Sequence, residues 1–157
     1  MKPRRALILL GANLGDRAAA LRRAVASLGA LDGCRVLKAS RVYETAPVGP
    51  SDRPYLNQAV ALETTRTATG LLIEAKRLEA LAGRRPGRRW GARVLDVDLV
   101  SLGSERVRTP WLTVPHAAMA ARPFAAAPLG DVCPAWRRRF TAMKPDPRIV
   151  KLWRNGR

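Results

Sequence analysis

Between Leu95 and Leu99 the sequence alternates strictly, reading Leu-Asp-Val-Asp-Leu. Strand side chains alternate between faces, so Leu95, Val97 and Leu99 fall on one side while Asp96 and Asp98 share the other. Two carboxylates placed so close repel unless a cation lies between them. Hard oxygen ligands suit Mg²⁺, which is commonly held by one or two carboxylates plus substrate phosphates. Just upstream, Arg88, Arg89 and Arg93 supply fork-shaped donors that grip phosphate oxygens two at a time. The acid pair and the arginines together point to a metal-nucleotide site, although an exposed strand with solvated charges has the same alternation.

A chain of 157 residues with 47% hydrophobic content is long enough for one domain with a core and short for two. Its net charge of +17, from 24 Arg and 5 Lys against 12 acidic residues, makes polyanions candidate partners. Against a dedicated nucleic-acid binder stand an aromatic content of 5% and the lack of an RRM signature, zinc-ligand spacing or heptads. Cys34 and Cys133 lie far apart and His116 is the single histidine, so neither a disulfide framework nor a zinc site is indicated. A reduced cytoplasm is expected. The apolar run Ala6 to Leu10 is too short for a signal peptide, and nothing in the chain approaches a membrane span.

In chain order, Ala6 to Leu10 reads as a buried first strand ended by Gly11. Leu21, Ala24, Val25 and Leu28 recur at helical spacing up to Gly29 or Gly33. Cys34 to Tyr43 reads as a second strand. The loop Thr45 to Pro54, with Pro47, Pro50 and Pro54, is stiffer than a hairpin needs and suits a binding loop. Tyr55 to Thr64 alternates, with Leu56, Val60 and Leu62 on one face and Tyr55, Asn57 and Ala59 on the other. Thr67 or Thr69 caps a second helix ended by Gly83. Glu79 lies in its last turn, where the dipole disfavours a carboxylate, and the adjacent arginines are the expected compensation. The basic loop Arg84 to Arg89 leads into the acidic strand. This β-α-β-β-α-β order predicts an α+β, ferredoxin-like sandwich with two helices over one face of a four-stranded antiparallel sheet. Beyond it, Arg106 to Thr113 suggests short strands, Pro128 to Pro134 a loop, and the tail with Arg137 to Arg139 a peripheral helix and an extended end.

The blocks Leu10-Gly11-Ala12-Asn13-Leu14-Gly15, Tyr43 to Gly49, Tyr55-Leu56-Asn57, Arg77-Leu78-Glu79, Arg89-Trp90-Gly91-Ala92-Arg93-Val94-Leu95-Asp96-Val97-Asp98 and Val114-Pro115-His116 with Arg122-x-Phe124 occur in this order. They resemble the 6-hydroxymethyl-7,8-dihydropterin pyrophosphokinase family of folate biosynthesis. The resemblance implies a catalytic domain over residues 1–134, with 135–157 a basic tail of the same domain. It also implies transfer of pyrophosphate from ATP to a pterin hydroxymethyl group by a monomeric enzyme acting on two small molecules. Asp96 and Asp98 would hold two Mg²⁺ ions, and Arg84 and Arg93 would meet phosphate and transition-state charge. His116 and Arg122 would touch the triphosphate, with Glu79 on the nucleotide side and Arg89 and Trp90 at a lid. Tyr55 and Phe124 would sandwich the pterin, while Asn57 and the segment of Thr45, Pro47 and Val48 read its edge. The chain departs from the family pattern at Ala12, Ala92, Trp111 and Ala117 and is one residue short between Gly83 and Trp90.

Two rival readings remain at the level of sequence. One is a related kinase acting on a modified pterin. The other is a basic nucleic-acid-binding domain of the same fold, which the carboxylate pair disfavours because it repels a phosphate backbone unless a metal intervenes.

Overall fold

Ala6 to Leu10 lacks alternation because both of its faces are covered. In the computed structural model, which describes residues 1–47, 52–83, 92–140 and 150–154, these five residues belong to β1 (Arg4–Ala12). Ala6, Ile8 and Leu10 enter one hydrophobic cluster and Leu7 and Leu9 another. β1 lies between β4 (Tyr55–Thr64) and β5 (Asp96–Leu102), antiparallel to both. Beyond β4 come β2 (Cys34–Ala39) and β3 (Tyr43–Thr45), both paired with it. This core order, with β5 and β2/β3 at the flanks, is that of the expected ferredoxin-like sandwich.

The helices over the first face are α1 (Arg17–Gly29) and α2 (Ala68–Leu81). Asp16 caps α1 by accepting from the Ala19 N–H, and Thr67, rather than Thr69, caps α2 by accepting from that of Gly70. Their apolar stripes, Leu21, Ala24 and Leu28 in one and Leu71, Ala75 and Leu78 in the other, pack on the even-numbered residues of β1 and β4. Gly83 follows α2 at φ 89°, a conformation that glycine adopts at no steric cost.

The structure corrects several expectations. Gly11 does not end the first strand, which runs on to Ala12. The second strand is interrupted, because the Ser40 hydroxyl donates to the Arg41 carbonyl and accepts from the Ala59 N–H, taking over a ladder position with its side chain. The run from Pro128 to Pro134 is not a loop: α3 (Pro123–Val132) contains Pro128, and α4 (Pro134–Arg137) begins directly after Cys133. Pro and Gly signals argued against a helix there, and burial of Ala125, Leu129 and Val132 against the sheet outweighs them. The sheet therefore has helices on both faces. Nor is the tail peripheral, since Trp136 and Phe140 lie in the second cluster, their ring centroids 6.0 Å apart. Its strand β8 (Val150–Leu152) extends the sheet by pairing with β3.

Two short strands, β6 (Val107–Arg108) and β7 (Thr113–Val114), form a separate ribbon that leads through Pro115 to His116. Arg41 and Tyr43 both reach Asp131 on α3, tying the second helical layer to the sheet. Among the described residues no helix is long and apolar enough to cross a membrane.

Trp136 is only 6% exposed. Trp136→Ala should cost about 3 to 5 kcal/mol of unfolding free energy, as a truncated core ring does. Denaturant melts of the two proteins measure this, and a loss below 1 kcal/mol, about what a surface substitution gives, would return the tail to the surface.

Candidate active site

The face of the sheet opposite α1 and α2 holds a cleft of about 160 Å³. Strand register explains its composition. Gly11 is the cross-strand partner of Asn57 on one side and of Asp96 on the other, while Leu9 partners Asp98. A Cβ at Gly11 would lie 3.3 Å from Asn57 Oδ1 and 3.7 Å from the Tyr55 ring. Glycine is thus what keeps the floor open between the two walls.

One wall is acidic. Asp96 and Asp98 point into the cleft as their alternation requires, with Val97 and Leu99 buried behind them. A bulge leaves Val100 unpaired between Leu99 and Ser101 and turns it onto the cleft side, into the second core. Each carboxylate has its own arginine: Arg93 Nη1 donates to Asp96 Oδ1 at 2.9 Å, and Arg122 Nη1 donates to Asp98 Oδ2 at 3.4 Å. Burial first, and the neighbouring Asp96 charge second, push the Asp98 carboxyl above its ordinary range, against the opposing pull of His116, Arg122 and Lys76.

Arg93 is itself held in place from below. Its N–H donates to Asn13 Oδ1 at 2.6 Å, and the Asn13 N–H donates to the Arg93 carbonyl at 3.0 Å. Asn13, 2% exposed, carries no site role in the sequence reading, where it stands only within the first matching block. A buried amide directly after a strand was the available signal, since such a group must find partners.

The opposite wall is aromatic and polar. Tyr55, Asn57 and Thr45 line it from β4 and β3, and Phe124 faces them from the start of α3. Asn57 Nδ2 donates to Thr45 Oγ1 at 2.8 Å within the buried part of this wall. Phe124 is only partly buried, with the Arg122 guanidinium 6.0 Å from its ring centroid.

Eight of the expected residues therefore meet in one cleft: Thr45, Tyr55, Asn57, Arg93, Asp96, Asp98, Arg122 and Phe124. Glu79, Pro47 and His116 do not line it. Glu79 is 2% exposed and accepts the Val97 N–H at 2.9 Å, supporting the strand from its outer edge between the two aspartates. Among the described residues Lys76 is a cationic partner, its Nζ 3.0 Å from Glu79 Oε2, and the adjacent arginines expected to compensate Glu79 lie outside the described residues. The His116 N–H donates to the Val100 carbonyl; its Nδ1 is buried without a hydrogen-bond partner among the described residues. Burial lowers its pKa, with Asp98 opposing. Val48, Arg84, Arg88, Arg89 and Trp90 lie outside the described residues.

A model of the 7,8-dihydro-6-hydroxymethylpterin-pyrophosphokinase family matches residues 7–134. A 2-amino-4-hydroxy-6-hydroxymethyldihydropteridine pyrophosphokinase of Bacillus subtilis is 38% identical over 150 residues, covering 95% of this chain and 90% of its own. One of Methylorubrum extorquens is 41% identical over 131 residues, covering 83% of each chain. Among solved structures, a wild-type Plasmodium falciparum HPPK-DHPS with pterin and p-hydroxybenzoate superposes with a TM-score of 0.65 at 14% identity. The match covers 85% of this chain and 40% of that one, so this chain spans less than half of the solved protein. At that identity the likeness concerns the fold.

In protein free of divalent cation, Asp98 should titrate above the usual carboxylate range. Asp96→Asn should lower that value without restoring it, because burial is the larger cause. A folded pKa above the unfolded one means that ionising Asp98 costs stability as pH rises through that window. Carboxyl ¹³C titration of both proteins decides the matter, and an Asp98 pKa indifferent to Asp96 would remove the second cause.

Proposed function

The chain belongs to the 7,8-dihydro-6-hydroxymethylpterin-pyrophosphokinase family, and we propose that it transfers the pyrophosphoryl group of ATP to 6-hydroxymethyl-7,8-dihydropterin in folate biosynthesis, releasing AMP. The observation that carries this reading is the division of one cleft into an arginine-paired carboxylate wall and an aromatic-amide wall. One suits charged phosphates and the other a flat heterocycle. In the transfer, the hydroxymethyl oxygen bonds to the β-phosphorus of ATP. The bond from that phosphorus to the oxygen bridging it to the α-phosphate breaks, AMP departs with the electron pair, and the hydroxyl proton is released.

Mg²⁺ fits the donor set on the acidic wall. Asp96 and Asp98 offer hard oxygens, and among the described residues no cluster of three His, Cys, Asp or Glu side chains forms, so phosphate oxygens and water would complete the coordination. When bound, the ion neutralises phosphate charge and orients the phosphates for in-line displacement. The chain's own residues do the remaining work. Arg93 and Arg122 hold the carboxylates apart in charge and keep further N–H groups for phosphate oxygens. Tyr55 and Phe124 stack on the two faces of the pterin, Asn57 and Thr45 read its edge, and closeness of the two walls brings the reacting atoms together. Arg84, Arg89, Trp90 and His116 belong to the triphosphate side of the same reading. A cytoplasmic location and a monomeric state belong to the same reading.

Purified protein supplied with Mg²⁺, ATP and the hydroxymethyldihydropterin should form AMP, and Asp96→Ala or Asp98→Ala should abolish this while leaving the melting temperature nearly unchanged. The side chains are 26% and 27% exposed, so their loss touches the chemistry more than the core. Full activity in either variant sinks the metal assignment.

Phe124→Ala should weaken pterin binding by about 1 to 3 kcal/mol and leave ATP affinity unaltered, as expected of a ring that meets one ligand only. Isothermal titration with each ligand separates the effects; a loss of stability with both affinities intact would make Phe124 a core residue.

A further inference from the structure

Arg17 occupies the first position of α1. A cation there is opposed by the helix dipole, and Asp16 already caps the helix, so the charge does nothing for α1 itself. The guanidinium instead spans two other elements. Nη2 donates to Glu44 Oε2 at 3.0 Å, and Nη1 donates to the Pro54 carbonyl at 2.8 Å. Glu44 immediately precedes Thr45 at the end of β3, and Pro54 immediately precedes Tyr55 at the start of β4. Both following residues line the cleft. One planar fork thus grips the two ends of the proline-rich connection at its base.

Strand pairing alone holds this place weakly. Thr45 and Tyr55 form the last of three cross-strand pairs between β3 and β4, Thr45 pairs on its other side only at the end of an equally short ladder, with Val150 of β8, and terminal pairs are where ladders open first. The Arg17 and Glu44 side chains are 26% and 36% exposed, shielded enough for the fork to add to that ladder end. The acid pair lies across the cleft on β5, with β1 between, and shares no hydrogen bond with Arg17.

We infer that Arg17 is a positioning residue that sets affinity for the heterocyclic substrate by fixing Thr45 against Tyr55, without acting on the nucleotide half. This rests on the pterin reading of the aromatic wall. A guanidinium is required because its two N–H groups must serve a carboxylate and a carbonyl together; a lysine ammonium in its place keeps the charge and loses the fork.

The test is steady-state kinetics of wild type, Arg17→Ala, Arg17→Lys and Glu44→Ala, with melting temperatures. Arg17→Ala should raise KM for the dihydropterin roughly tenfold, the value of losing one or two charge-assisted bonds, with kcat and KM for ATP changed less than about twofold. Arg17→Lys should fall between wild type and Arg17→Ala. Glu44→Ala, which keeps the bond to Pro54, should do the same. An unchanged dihydropterin KM in Arg17→Ala overturns the inference. So does a parallel rise in both KM values with a lowered melting temperature, the mark of a general structural role. A wild-type protein that forms no AMP overturns the functional reading, and this inference with it.

Discussion

Two like charges on adjacent same-face positions of one strand repel, and the cleft is organised around keeping them there. Asp96 and Asp98 sit on β5, an edge strand of the sheet, where the outward N–H of Val97 has no strand to pair with. Glu79 supplies the missing acceptor from α2 and is itself neutralised by Lys76. The strand is therefore pinned at the residue between the two aspartates. On the cleft side, Arg93 and Arg122 offset one carboxylate each, and Asn13 fixes the backbone of Arg93. Taken singly these are ordinary contacts. Together they hold a pair of charges that an unsupported strand would let turn away from each other.

The arrangement divides labour between the two faces of the sheet. The face toward α1 and α2 carries a long apolar cluster whose even-numbered residues give no chemistry. The other face is split: one half packs against α3 and the tail rings, and the other half is left open as the cleft. Phe124 stands at the junction, partly packed on the second core and partly facing Tyr55. A residue so placed links the cleft to the packing of the outer helices. The Asp131 contacts with Arg41 and Tyr43 fix those helices relative to β3.

How much of this was legible in the sequence depended on how local the signal was. The acid pair was readable because alternation over five residues determines faces. The order of strands and helices was readable for the same reason, since caps and apolar stripes are written within single elements. Gly11 was misread as a stop, because its role comes from Asn57 and Asp96, which are distant in sequence and adjacent in space. Asn13 and Ser40 were hard to read as supports, since each bonds a backbone group remote in the chain. α3 was hidden because its prolines and glycine speak against a helix locally, while the burial that favours it requires the finished sheet. The pairing of β8 with β3 is equally non-local and left no periodicity to detect.

The register of β1 carries a consequence for how this molecule is made. Its partners lie in β4 and β5, so the floor of the cleft joins residues near position 11 to residues near 57 and 96. Loop closure over such distances is slow compared with helix formation, and the three strands together extend from Arg4 to Leu102. On a ribosome, β1 must wait with its apolar residues unpaired until β4 emerges, and the acidic wall cannot exist until β5 follows it. Helices α1 and α2, by contrast, are complete before their sheet is. The cleft is therefore among the last features of this fold to appear, and an emerging chain holds neither half of it in working form until the residues up to Phe124 have been synthesised.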